Sequence, residues 1–113
     1  MEKLIMYIIL RTDVGLTKGQ LAAQACHSCI KTVHIYKNDA SMVEYLKDID
    51  NMTKVLLKTR DMKEYENIKK NLKSSKISYT EWLEQPENLI TCLSLKPYYK
   101  NDVYDIIKEL KLF

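Results

Sequence analysis

Seven apolar residues in a row, Leu4 to Leu10, run into Arg11, Asp13 and Gly15, and a helical pattern opens at Thr17 directly behind them. The run is too short to span a bilayer, and no small-residue cleavage site follows it. It therefore reads as a buried strand rather than a membrane helix or a signal peptide. A strand that turns through glycine into a helix N-terminus leaves backbone N–H groups unpaired at the positive end of the helix dipole. Such a mouth suits a phosphate or a developing oxyanion, and makes this corner the first place to look for chemistry or RNA binding.

With 113 residues, 46% of them hydrophobic and 29% charged, the chain is expected to form a single domain over residues 1–113, because this length fills one core and not two. Only two Gly and two Pro are present, so loops should be short, the loosest being Tyr36 to Ala40 and Ser74 to Lys76. Three cysteines, an odd number without a disulfide framework, fit a reducing compartment, and the expected location is cytoplasmic. A net charge of +3 permits a polyanionic partner without requiring one.

Three capping boxes announce helix starts: Thr17 with Gln20, Ser41 with Glu44, and Asp61 with Glu64. They predict helices from Thr17 to about Tyr36, Ser41 to about Ile49 and Asp61 to about Lys73, and a last helix begins near Asn101 or Asp102. Between them, Thr53 to Lys58, Ile77 to Leu83 and Leu89 to Leu95 have strand character. The expected order is βααβαββα. Helical crossovers favour parallel pairing, and the short link from Glu84 to Asn88 favours an antiparallel pair. The expected fold class is α/β, a three-layer αβα arrangement around a mixed four-stranded sheet.

The first helix has two faces. Leu21, Ala22, Ala25, Cys26, Cys29, Ile30 and Val33 form one apolar stripe, expected to pack on the sheet, while Gln20, Gln24, His27, Lys31 and His34 recur along a polar face. That polar face is either an ordinary solvated surface or part of a ligand surface, with Gln meeting phosphate, sugar or base edges and His stacking on a base. Cys26 and Cys29 lack the further ligands a closed zinc site needs and read as core residues, so no metal is expected. Arg11 and Asp13 are either a surface Arg and a turn-forming Asp or part of a ligand site at the strand's C-terminal edge. Lys18 extends the same mouth.

Arg11, Thr12 and Asp13, then Lys18 and Gly19, Ala22 to Gln24, His27, the strand from Thr53 to Lys58, Thr91 and the ending Leu110 to Phe113 together resemble the class 2 peptidyl-tRNA hydrolases, the archaeal and eukaryotic type. The likeness covers almost the whole chain. Trp82 to Cys92, reading W-L-E-Q-P-E-N-L-I-T-C, and Leu95 to Tyr98 further resemble a divergent branch, the peptidyl-tRNA hydrolase domain-containing proteins. The resemblance implies hydrolysis of the ester joining a peptide to tRNA, without metal or organic cofactor. Together with the polar face of the first helix, it gives expected tRNA contacts at Arg11, Asp13, Lys18, Gln24, His27 and Lys31. A homodimer is a further expected partner, as for many small α/β domains.

The chain departs from that family where its chemistry is expected. Gln20 stands where the family's G-K-G-K motif ends in Lys, and the D-A-G-x-T segment is replaced by the residues around Trp82 and Glu84. Of the family's catalytic set only Thr91 carries over by direct match, with Gln20 at the Lys position and Glu84 as positional replacement for the acid completing the candidate catalytic residues. Each has a plain alternative: Gln20 as partner in the Thr17 cap, Glu84 as a loop acid, Thr91 as a strand former. Trp82 reads as core or pocket wall, or as a platform for the terminal adenine. Loss of one charged donor at an oxyanion costs about two to three orders of magnitude in rate. The alternative function is therefore an RNA-binding or protein-interaction module that kept the fold, with a thiol redox protein built on Cys26 and Cys29 a distant third.

Overall fold

A computed structural model describes residues 2–113. Its elements are β1 (Leu4–Arg11), α1 (Lys18–Ile35), α2 (Ala40–Lys47), a 3₁₀ turn (Ile49–Asn51), β2 (Thr53–Thr59), α3 (Met62–Ser74), β3 (Tyr79–Glu84), β4 (Leu89–Leu95), β5 (Tyr98–Tyr99), α4 (Lys100–Ile107) and β6 (Lys111–Leu112). The sheet has six strands rather than the expected four, in the order β3-β4-β1-β2-β6, with β5 also paired to β1. The two extra strands are two residues each, too short to leave an alternating pattern in the sequence. The expected element order is corrected accordingly.

Pairing follows from the connections. β1 and β2, joined through two helices, are parallel from Ile5 opposite Thr53 to Arg11 opposite Thr59, while β3 and β4, joined by a tight turn, are antiparallel, as are β1 with β4 and β2 with β6. Alternation along β1 splits the core in two. Tyr7 and Ile9 meet Tyr65, Ile68 and Leu72 of α3 and Val103 and Ile107 of α4, while Met6, Ile8 and Leu10 meet Leu21, Ala25 and Cys29 of α1 and Met42 and Tyr45 of α2. Helices thus cover both faces of the sheet.

The caps explain the helix starts, with one correction. Thr17 caps α1 in a complete box with Gln20, and Asp61 caps α3 by accepting from the Glu64 amide at 2.8 Å. α2 starts one residue before Ser41. Its N-cap is Asp39, whose carboxylate accepts from both the Ser41 amide and the Ser41 hydroxyl, and whose other oxygen pairs with Lys96 at 2.9 Å. Gly15, between β1 and α1, has φ +73°, a conformation that glycine adopts without strain. No described helix is long and apolar enough to cross a membrane.

Candidate active site

Helix α1 is rotated relative to the expected apolar stripe. Leu21, Ala25 and Cys29 are buried as expected, but the residues beside them in the interface are Gln24, Ser28 and Thr32, and Ala22, Cys26 and Ile30 lie outside, Ile30 with 70% of its surface exposed. The reason is a matched set of polar groups on β3 and β4. Ser28 and Ser94 hydroxyls share a bond of 2.6 Å, Thr32 and Thr80 another of 2.6 Å, and Thr32 also donates to the Ser28 carbonyl at 3.0 Å. Buried hydroxyls satisfied in pairs cost little, and they fix the helix in one rotational phase. The sequence signal was present as hydroxyls at Ser28 and Thr32, four residues apart on one helix face.

At the end of this seam the polar groups converge. Gln24 is 3% exposed, and its side-chain amide donates to Glu84 Oε2 at 2.8 Å while its carbonyl oxygen accepts from the Thr91 hydroxyl at 2.9 Å. A carboxylate can only accept, so the Gln24 nitrogen must face Glu84, and Thr91 must then supply the proton to Gln24 Oε1. Trp82 Nε1 donates to the other Glu84 oxygen at 3.2 Å, and the His27 ring stacks on Trp82 with centroids 4.9 Å apart. These hydrogen bonds, from Gln24 first and Trp82 second, hold the Glu84 carboxyl below the usual carboxylate range.

Thr91 reaches Gln24 because β4 is bulged there. Trp82 lies opposite Cys92 and Leu83 opposite Ile90, so Thr91 has no partner on β3. Ile90 packs on the α3 side, yet Thr91 and Cys92 both contact Gln24 on the α1 side, the Cys92 thiol meeting the Gln24 backbone carbonyl at 3.5 Å. One extra residue re-aims a side chain across the sheet.

Leu16, Gln20, Ala23, Gln24, His27, Glu84, Glu87 and Leu89 line a pocket of about 290 Å³ at this point. Four of the residues named from the sequence, Gln20, Gln24, His27 and Glu84, meet in it. Thr91 does not: it is 0% exposed and touches the pocket only through Gln24, because the bulge directs its hydroxyl inward. Gln20 keeps its cap, its carbonyl accepting from the Thr17 amide at 2.9 Å. That bond uses only the oxygen, so the two N–H groups of the same amide remain to serve the pocket.

The predicted tRNA-contact residues divide. Lys18 is exposed on the first turn of α1, and His27 is exposed above the pocket. Gln24 is instead buried in the seam. Lys31 donates its ammonium to the Glu81 backbone carbonyl at 2.7 Å, tying α1 to β3. Arg11 is no surface residue: it is 6% exposed, grips Asp13 through Nε at 3.1 Å and Nη2 at 2.9 Å, and donates Nη1 to the Ile90 carbonyl at 2.9 Å. That grip, chiefly its hydrogen bonding, holds Asp13 below the ordinary carboxylate range. Among the described residues no group of three or more His, Cys, Asp or Glu is placed to hold a metal ion. Cys26 is exposed and Cys29 buried, both as free thiols.

The chain is 35% identical over 115 residues to a Mus musculus protein named "Putative peptidyl-tRNA hydrolase PTRHD1", covering 97% of this chain and 82% of that one. The Homo sapiens protein of the same name is 34% identical over 117 residues, covering 99% and 84%. A peptidyl-tRNA hydrolase of Methanococcus maripaludis is 31% identical over 111 residues, covering 93% and 95%. The family model described as Peptidyl-tRNA hydrolase PTH2 matches residues 4–113, almost from the first strand residue to the last residue of the chain, and the chain belongs to that family.

Proposed function

We propose that this protein hydrolyses the ester bond between a peptidyl, or N-blocked aminoacyl, group and tRNA. Membership of the family supports the reaction class. The observation that carries the reading to a site is the pocket in which an ionised Glu84, oriented by Gln24 and Trp82, stands with the Gln20 amide. Glu84 takes one hydrogen bond on each oxygen, which leaves acceptor capacity for a water. It draws the proton from that water as the oxygen attacks the ester carbonyl, and returns it to the ribose oxygen of tRNA as the ester C–O bond breaks. The Gln20 N–H groups and the first amides of α1 meet the oxyanion. Lys18 and His27 face the nucleic acid. Thr91 and Gln24 act by holding the acid, not by touching substrate.

Release of N-acetyl-aminoacyl groups from tRNA tests this. Wild-type protein is expected to exceed the Glu84→Gln variant by about 10²-fold or more. Gln20→Lys, which adds a charged donor at the mouth, is expected to raise the rate by about 10²-fold while costing about 1 kcal/mol of cap stability. Wild-type release no faster than that of Glu84→Gln would end the hydrolytic reading. The second reading, a tRNA-binding module without turnover, is favoured by one observation: Glu84 is held below its ordinary range, which makes it a weak base. Binding to tRNA that weakens steeply with salt, without release of product, would select it. The three free thiols support a cytoplasmic location, and light scattering would decide whether the chain forms a homodimer.

A further inference from the structure

We propose that Arg11 is a positioning residue: its guanidinium clamps the β4 bulge and through it sets the orientation of Glu84. The inference rests on the site described above, and its primary measurement needs no substrate.

The antiparallel ladder between β1 and β4 ends with Leu10 opposite Cys92. Just beyond it β4 is irregular, and the Ile90 carbonyl is met by Arg11 Nη1 at 2.9 Å. The remaining edge of the guanidinium is locked by Asp13 through two bonds, and its carbon lies 5.9 Å from the centre of the Tyr65 ring. Three donors of one rigid plane therefore span two fixed acceptors, the Asp13 carboxylate on the β1 side and the Ile90 carbonyl on the β4 side. An ammonium is a point charge on a flexible stem and cannot hold both in one geometry.

What the clamp fixes is the residue next in the chain. With Ile90 held on the α3 side, Thr91 is the unpaired residue of the bulge and turns to the α1 side. There its hydroxyl proton occupies Gln24 Oε1, and the amide can point only its nitrogen at Glu84. If the bulge slides by one residue, the alternation of β4 returns Thr91 to the opposite face. Gln24 then loses the partner that fixes its amide, and Glu84 loses its oriented donor.

Trp82 is the single tryptophan of the chain and donates its indole N–H to Glu84, so one indole resonance in a ¹⁵N spectrum follows the ionisation of that carboxyl. In the wild type this resonance is expected to titrate below the ordinary Glu range. Arg11→Met and Thr91→Val are expected to move the midpoint upward by matching amounts. The double variant should go no further than either single one, because both act on one path. Arg11→Lys should fall between wild type and Arg11→Met. Arg60→Met, an arginine exposed on the surface, should leave the midpoint in place. In the hydrolysis assay Arg11→Met should lower kcat about tenfold with KM little changed.

An unmoved midpoint in folded Arg11→Met beside a shifted one in Thr91→Val would overturn the clamp. An unmoved midpoint in both would overturn the relay itself. Should Arg11→Met fail to fold, Arg11→Lys and Asp13→Asn carry the same decision, an upward shift supporting the clamp and a wild-type midpoint rejecting it. A shifted resonance in protein that releases no aminoacyl group would retain the clamp and remove the hydrolytic reading.

Discussion

On the α3 and α4 side the sheet is sealed by Tyr7, Ile9, Leu57, Leu72, Leu93 and Leu95, whereas on the α1 side the seal toward β3 and β4 is Gln24, Ser28, Thr32, Thr80, Thr91 and Ser94. The first interface is non-directional, and many rotamers and small helix shifts would satisfy it. The second is directional. Each hydroxyl has a partner at a definite distance, so a rotation of α1 would strand several of them at once. Apolar burial supplies stability on one side, and hydrogen-bond pairing fixes the position of the Glu84 pocket on the other.

Truncation on the apolar side should have the largest effect on stability. Leu72→Ala removes a fully buried side chain and is expected to cost about 2–5 kcal/mol in denaturant unfolding, while the pH dependence of the remaining folded protein stays that of the wild type. A shift in that dependence would show that the two sides are not separable. Glu84→Gln should do the reverse, lowering the rate about 10²-fold, or about 2.7 kcal/mol of transition-state stabilisation, with a smaller loss of stability than Leu72→Ala. Within the seam, Ser94→Ala leaves the Ser28 hydroxyl buried without a partner and is expected to cost about 1–3 kcal/mol. Adding Ser28→Ala should recover part of that loss, and a purely additive pair would weaken the claim that pairing matters.

The smallest expected effect is in pH. Asp13 and Glu84 both sit below their ordinary values in the fold, the first through Arg11 and the second through Gln24. A depressed carboxyl contributes stability that is complete above its unfolded value and is lost as pH falls through its folded one. Thermal midpoints of the wild type should thus hold flat through neutral pH and fall below the ordinary carboxylate range. Arg11→Met should flatten the part of that fall due to Asp13.

Much of the frame was legible because caps and long apolar runs are local signals. Thr17 with Gln20 and Asp61 with Glu64 marked two helix starts, and Leu4 to Leu10 marked the central strand. The phase of α1 was not legible from hydropathy, which assigns Ala22, Cys26 and Ile30 to the core over Gln24, Ser28 and Thr32. Only the hydroxyls waiting on β3 and β4 reverse that choice. The burial of Arg11 was not legible for a similar reason: of the two readings open to it, neither could be chosen until its partners, Asp13 and the distant Ile90 carbonyl, were brought to it. The bulge at Thr91 is a register effect between two strands, and no single stretch of sequence records it.

Lys111 and Leu112 form the shortest kind of strand, yet they sit against Lys58 and Leu57, and the Phe113 amide adds a bond of 3.0 Å to the Leu56 carbonyl. A bare strand rim offers its donors and acceptors to any extended peptide that passes. Three residues here act as a stopper on that rim. Clipping them would bare the backbone groups of β2 from Leu56 to Lys58 and take the Phe113 side chain from the α1-side core.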